Sequence, residues 1–88
     1  MPAPLRVTLY GRPGCSLCDQ AGQFLHRIAR RIPLAVDVVN IESDDALLQR
    51  YMFEIPVIAV DGAPIAIAPI YEGALEDILQ EIASKPRP

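Results

Sequence analysis

Metal-binding and basic residues are scarce in this 88-residue chain, which holds two cysteines, one histidine and eight lysines and arginines against eleven acids. A tetrahedral zinc site takes four ligands, so Cys15, Cys18 and His26 cannot complete one within a single chain. The net charge of −3 leaves no electrostatic footprint for nucleic acid. Arg27, Arg30 and Arg31 do cluster, but on the polar side of an expected helix, which reads as a solvated face. Long apolar runs are missing too. The most apolar stretch, Ile55 to Ile70, is broken by Asp61, Gly62 and Pro64, which excludes a membrane span there. Met1-Pro2-Ala3-Pro4 leads directly into strand-like residues, so no signal peptide is expected. No repeat, low-complexity tract or interdomain linker is visible.

What the chain does have is apolar content: 51% of its residues are hydrophobic, which fits a packed globule rather than a disordered chain. Residues 1–88 read as one domain. A chain this long buries roughly 60–65% of its unfolded surface, enough for one modest core.

Leu5 to Tyr10 predicts a short strand, and Gly11-Arg12-Pro13-Gly14 a turn after it. Leu17, Ala21, Phe24, Leu25, Ile28 and Ile32 then recur at helical spacing, with Pro33 as the stop. Leu34 to Ile41, rich in valine, predicts a second strand buried on both faces. Strand, helix, strand in that order implies a right-handed crossover and a parallel pair. Ser43 is the expected N-cap of a short helix reaching Tyr51, with Asp44 and Asp45 in its first turn. Val57 to Val60 predicts a third strand, Asp61-Gly62 a hairpin turn, and Pro64 to Ala68 an antiparallel return, its prolines marking an edge. A last helix is expected from Glu72 to Ala83, followed by a frayed tail at Lys85-Pro86-Arg87-Pro88. The fold class is therefore α/β, in the order βαβαββα, with a mixed four-stranded sheet and three helices.

Both cysteines lie in Cys15-Ser16-Leu17-Cys18, where the loop enters the first helix. Unpaired N–H groups and the positive end of the helix dipole favour a thiolate there. Two residues between thiols suit a reversible intramolecular disulfide. Cys15, at the helix start, is the expected nucleophile and Cys18, one turn on and more buried, the resolving thiol. Arg12 adds positive charge that lowers a neighbouring thiol's pKa or holds an anionic group, whereas Glu54 would act in the opposite sense. Two other readings stand beside this one: an inert thiol pair, and half of a metal site completed by a second chain. His26, at mid-helix, reads as a surface or packing residue. Ile55-Pro56-Val57 by itself reads as a strand start.

Tyr10-Gly11-Arg12-Pro13-Gly14-Cys15-Ser16-Leu17-Cys18, followed by Ile55-Pro56-Val57, resembles the glutaredoxin branch of the thioredoxin superfamily over nearly the whole chain. It is most similar to small glutaredoxin-like proteins with a C-S-L-C centre and a Tyr…Ile-Pro-Val segment, here Tyr51 to Val57. The resemblance implies a thioredoxin-like fold with Pro56 cis and packed beside the cysteine pair. It implies that the Ile55 backbone pairs with a bound peptide or glutathione, and that Arg12 meets a glutathione carboxylate. The chain also departs from the family. Ser16 and Leu17 replace the proline and tyrosine common between the cysteines. Ile65-Ala66-Ile67-Ala68-Pro69 replaces a Gly-Gly pair and an acid that capture glutathione, and Cβ atoms there obstruct a ligand's approach to the backbone. The acid that thioredoxins bury in the strand before the cysteines is missing between Leu5 and Tyr10.

Together these features predict a thiol–disulfide oxidoreductase using Cys15 and Cys18, with Arg12, Ile55 and Pro56 contacting substrate. No bound cofactor is expected. Glutathione or a reductase is the expected electron donor, the altered stretch from Ile65 to Pro69 weighing against glutathione. A disulfide-containing protein or a small-molecule thiol is the expected substrate. Neither nucleic acid nor membrane is an expected partner. A monomer in the cytoplasm, a reducing compartment, fits a working thiol pair. The alternatives are a thioredoxin-fold adaptor with little turnover and a dimer bridged by a metal or iron–sulfur cluster.

Overall fold

The computed structural model describes residues 3–85; Met1 and Pro2, and the tail expected beyond Lys85, lie outside the described residues. Four strands, β1 (Leu5–Gly11), β2 (Leu34–Asn40), β3 (Val57–Val60) and β4 (Ala63–Ile67), form one mixed sheet in the order β2-β1-β3-β4. β1 runs parallel to β2 and antiparallel to β3, and β3 pairs antiparallel with β4. Helices α1 (Ser16–Ile28), α2 (Asp45–Tyr51) and α3 (Glu72–Ser84) complete the order βαβαββα. The mixed sheet and three helices agree with the architecture expected from the sequence.

Alternation along β1 divides the core between the two faces of the sheet. Leu5, Val7 and Leu9 face one way with Ile58 and Val60, and pack on Ala21, Leu25 and Ile28 of α1 and Leu75 and Leu79 of α3. Each such leucine or isoleucine withdrawn from water stabilises the fold by about 1.5–3 kcal/mol. Tyr10 and Val57 face the other way, against Ile41, Leu47, Leu48 and Tyr51. The Tyr10 and Tyr51 rings lie 4.9 Å apart, centroid to centroid. β3 contributes to both faces, and all four of its residues are buried.

Three local expectations are corrected. α1 ends at Ile28, not Ile32. Arg30 and Arg31 donate to carbonyls three residues back, at 3.1 and 2.9 Å, so the chain tightens into turns before Pro33. Pro33 disfavours helical backbone in the residue before it. Ile32 nevertheless stays in the core at 2% exposure, which is why its periodicity read as helix. β2 is not buried on both faces: it is an edge strand, with Val38 73% exposed. Its valines reflect strand propensity rather than burial. Finally, Asp44 caps α2, accepting from the Ala46 and Leu47 amides at 2.8 and 3.2 Å. Ser43 belongs to a preceding 3₁₀ turn, where its hydroxyl donates to the Asn40 carbonyl.

The hairpin between β3 and β4 has left-handed backbone at both Asp61 and Gly62, with φ of 49° and 83°. Two such residues make the turn whose twist matches the flanking strands, which is why Asp-Gly serves there. Two ion pairs brace α1 and the turn after it against α3: Arg27 with Glu72 and Arg31 with Glu76, at 2.7 and 2.6 Å. Two of the three clustered arginines thus have specific partners on the surface. Hydrogen bonds from the arginines hold the Glu72 and Glu76 carboxyls below their ordinary pKa. Such groups bind fewer protons folded than unfolded, so their stabilisation is present at neutral pH and is lost as pH falls through the carboxylate range. Solvent screening keeps it small. Urea midpoints measured at pH 7 and pH 3 are expected to differ less for the E72Q/E76Q double variant than for the wild-type chain; an equal difference would show that the pairs contribute nothing.

Candidate active site

The end of β1 and the start of α1 place the two cysteines. Gly14 takes a left-handed φ of 75°, turning the chain into the helix. Cys15 is the N-cap of α1 in extended conformation, and its Sγ accepts from the Cys18 amide at 3.1 Å. The Cys15 carbonyl accepts from the Asp19 amide at 3.1 Å, opening the helical ladder. Cys15 and Cys18 are joined as a disulfide, with Cα atoms 5.2 Å apart, within the usual disulfide range. The two sulfurs differ in access. Cys15 is half-buried, whereas Cys18 is buried at 6% exposure. Gly11 at the end of β1 gives Cys18 its room: a Cβ there would stand 3.0 Å from both Cβ and Sγ of Cys18.

Ile55 and Pro56 join the pair from the α2–β3 connection. The Ile55–Pro56 bond is cis, Pro56 is buried, and Ile55 is half-buried. The Ile55 amide donates to the Tyr51 carbonyl at 3.1 Å, and the Glu54 carbonyl accepts from the Ala68 amide at 3.3 Å, tying this loop to the end of β4. A second cis bond, Ala68–Pro69, lies there, with no sequence signal that separated it from an ordinary strand-ending proline.

Arg12 is exposed and shares with Cys15 and Ile55 a cleft of about 330 Å³, lined also by Leu17, Met52 and Phe53. The structure therefore brings Arg12, Cys15 and Ile55 around one opening, with Cys18 joined to Cys15 and the buried Pro56 next to Ile55 in the chain. Sequence reasoning missed the apolar rim. Leu17, counted among the periodic apolar positions of α1, is 55% exposed, and Phe53 is 92% exposed. A bulky aromatic two residues before Ile55-Pro56, outside every periodic run, was the available signal for Phe53. A separate cleft of about 400 Å³ lies where α1 meets β1 and β2; its lining includes Cys18 and the exposed His26 but not Cys15. Among the described residues, no three His, Cys, Asp or Glu side chains converge as a metal site, and no helix is long and apolar enough to cross a membrane.

Comparison with known proteins agrees with this fold. The family model described as Glutaredoxin-like domain (DUF836) matches residues 6–80. The X-ray structure of a structural-genomics target protein from X. campestris is 33% identical, with a TM-score of 0.74 over 85% of this chain and 96% of that one. The solution structure of a protein from Nitrosomonas europaea is 21% identical, with a TM-score of 0.77 over 90% and 95% of the two chains. Thioredoxin 1 from Thermosipho africanus shares the fold at 15% identity, with a TM-score of 0.66 over 91% and 99%. No curated protein matches the sequence.

Proposed function

Because this chain belongs to the glutaredoxin-like domain family, we propose that it is a thiol–disulfide oxidoreductase that uses Cys15 and Cys18. The observation that carries the reading is the pair itself: two cysteines at disulfide distance, one capping a helix and accessible, the other buried one turn on. A helix N-terminus favours thiolate over thiol, and the thiolate is the attacking species.

In the reduced protein the Cys15 thiolate attacks one sulfur of a substrate disulfide, and the other sulfur leaves as a thiolate that takes up a proton. Cys18 then loses its proton and attacks Cys15 Sγ, closing the intramolecular disulfide and releasing the second substrate thiol. Counted from the dithiol, whose Cys15 proton passes to solvent when the thiolate forms, the substrate gains two electrons and two protons and the protein loses the same. An external dithiol reductase or two thiol molecules return it to the reduced form. Ile55 borders the cleft in which the substrate sulfur must lie, with Pro56 next to it in the chain, and Arg12 offers positive charge in the same cleft. A reducing compartment suits a cycle that depends on re-reduction.

The test is a redox titration against glutathione buffers, quenched with an alkylating agent and read by intact mass. Conversion between a doubly alkylated species and an unalkylated disulfide at a defined potential is expected. Two thiols that stay alkylatable at every potential would remove the reading and leave an adaptor domain in its place.

A further inference from the structure

The two edges of the sheet are built differently. β4 is short, carries Pro64, and shifts register against β3 between Ile58 and Ala59. Brevity, proline and an irregular ladder are devices by which an edge refuses a further strand. β2 has none of them. It runs seven residues in unbroken register with β1, and among the described residues no strand pairs with its outer side. Its one charged residue is Asp37. Val36 and Val38 are 39% and 73% exposed. Gly22 of α1 and Ala29 after it leave a cleft of about 310 Å³ over Leu34 and Val36, so the helix does not cover this row.

A long, regular, apolar edge is a template for another strand, and register decides which strand fits. Neighbours along a strand alternate faces, and residues directly opposite in an antiparallel pair share one. Two copies of β2 about a two-fold axis must therefore set one residue opposite itself. Asp37 on that axis would oppose two like charges, which is destabilising. Val36 on the axis sets Val36 opposite Val36 and Leu34 opposite Val38. These residues align with Val7, Leu5 and Leu9 of β1, so the row is apolar and lies on the α1 face. Ala35 then stands opposite Asp37 on the other face.

Charge favours the same register. Arg6 of β1 pairs with Ala35 within one copy. The row across the joined sheet is thus Arg6, Ala35 and the second copy's Asp37, with the two charged residues about 10 Å apart at the backbone and only a methyl group between them. Arg6 and Asp37 are both exposed, and neither is in an ion pair among the described residues. With Val38 on the axis, Asp37 would instead face Val39, in line with Tyr10. Axes nearer either end of β2 pair fewer residues.

We propose that β2 is a homodimerisation edge: two copies of this chain join antiparallel about Val36 into one continuous sheet, with Arg6 of each copy against Asp37 of the other. The sequence alone suggests a monomer, because the surface exists only once β2 is placed at the edge. No residue of β2 lines the Cys15 cleft, and the dimer does not depend on the oxidoreductase reading. One strand per copy makes a small interface, of the class below about 1,200 Å² that forms weak complexes.

The test is sedimentation equilibrium of the full chain, kept reduced so that no intermolecular disulfide contributes, from about 10 µM to about 1 mM, where weak association is read. A monomer–dimer equilibrium is expected. Val36→Lys sets two like charges together on the axis and is expected to remove the dimer across that range. Arg6→Asp and Asp37→Arg are each expected to weaken association roughly ten-fold, since the dimer holds two such pairs, and the R6D/D37R double variant to return within about three-fold of wild type. All three positions are exposed, and far-UV circular dichroism checks each variant; if Val36→Lys disturbs the fold, the charge swap decides alone. A wild-type chain that stays monomeric throughout, a dimer that Val36→Lys leaves intact, or a double variant no tighter than the single ones would each overturn the proposal.

Discussion

Replacing Cys15 by serine is expected to reduce the rate of disulfide exchange by on the order of 10³-fold or more, because a serine hydroxyl is not ionised where a thiolate would be. The companion Cys18→Ser variant is expected to behave differently. It keeps the accessible nucleophile but cannot expel the substrate, so a mixed disulfide on Cys15 should accumulate. Intact mass after acid quench reads both: no adduct for Cys15→Ser, a stable peptide adduct for Cys18→Ser. The asymmetry is founded on access, since Cys15 is half-buried at the helix start and Cys18 is 6% exposed. Adduct on Cys18 in the Cys15→Ser protein, with none on Cys15 in the other, would reverse the assigned roles.

The second large effect is expected at Gly11, which precedes Arg12 but does not itself line the Cys15 cleft. A Cβ there would stand 3.0 Å from both Cβ and Sγ of Cys18, and β1 has little room to retreat, because Gly11 itself pairs with Asn40 of β2 and the residues before it, Val7 to Tyr10, pair with β3. Gly11→Val adds two further methyl groups to that contact. Overpacking of a close-packed interior costs about 1–3 kcal/mol. The displaced atom is the resolving sulfur, so the cost should appear in chemistry as well as in stability. Urea denaturation of the reduced protein is expected to show a lowered midpoint. The mixed disulfide on Cys15 is expected to resolve more slowly, with its initial formation little changed. A variant with wild-type stability and resolution rate would show that Cys18 has more freedom than this packing allows.

These two positions divide along what a linear reading can reach. Cys15 and Cys18 announce themselves by type and spacing. Gly11 reads in sequence as the first residue of a turn, and only the fold makes it the end of β1 and, through α1, sets it against Cys18, 7 residues later in sequence. Leu17 shows the same boundary from the other side. Its place in the apolar series of α1 is genuine, yet its side chain lies on the face of the helix where no strand covers it, and it becomes part of the rim of the site.

The sequence by itself determined the order of elements, the fold class, the hairpin at Asp61-Gly62 and the identity of the cysteine pair. Each of these depends on local causes: periodicity, proline and glycine backbone preferences, and a helix start within four residues of two thiols. The prolines of β4 marked it as an edge in advance, but only the tertiary structure decided that β2 is the other edge, and hence that Val36 and Val38 face solvent. It also decided that Arg27 and Arg31 meet Glu72 and Glu76, 45 residues away, and that Leu17, Pro56 and Tyr71 wall one slot. Strand order and contacts between helices distant in sequence arise from how whole faces pack, and neighbouring residue types carry no record of that choice.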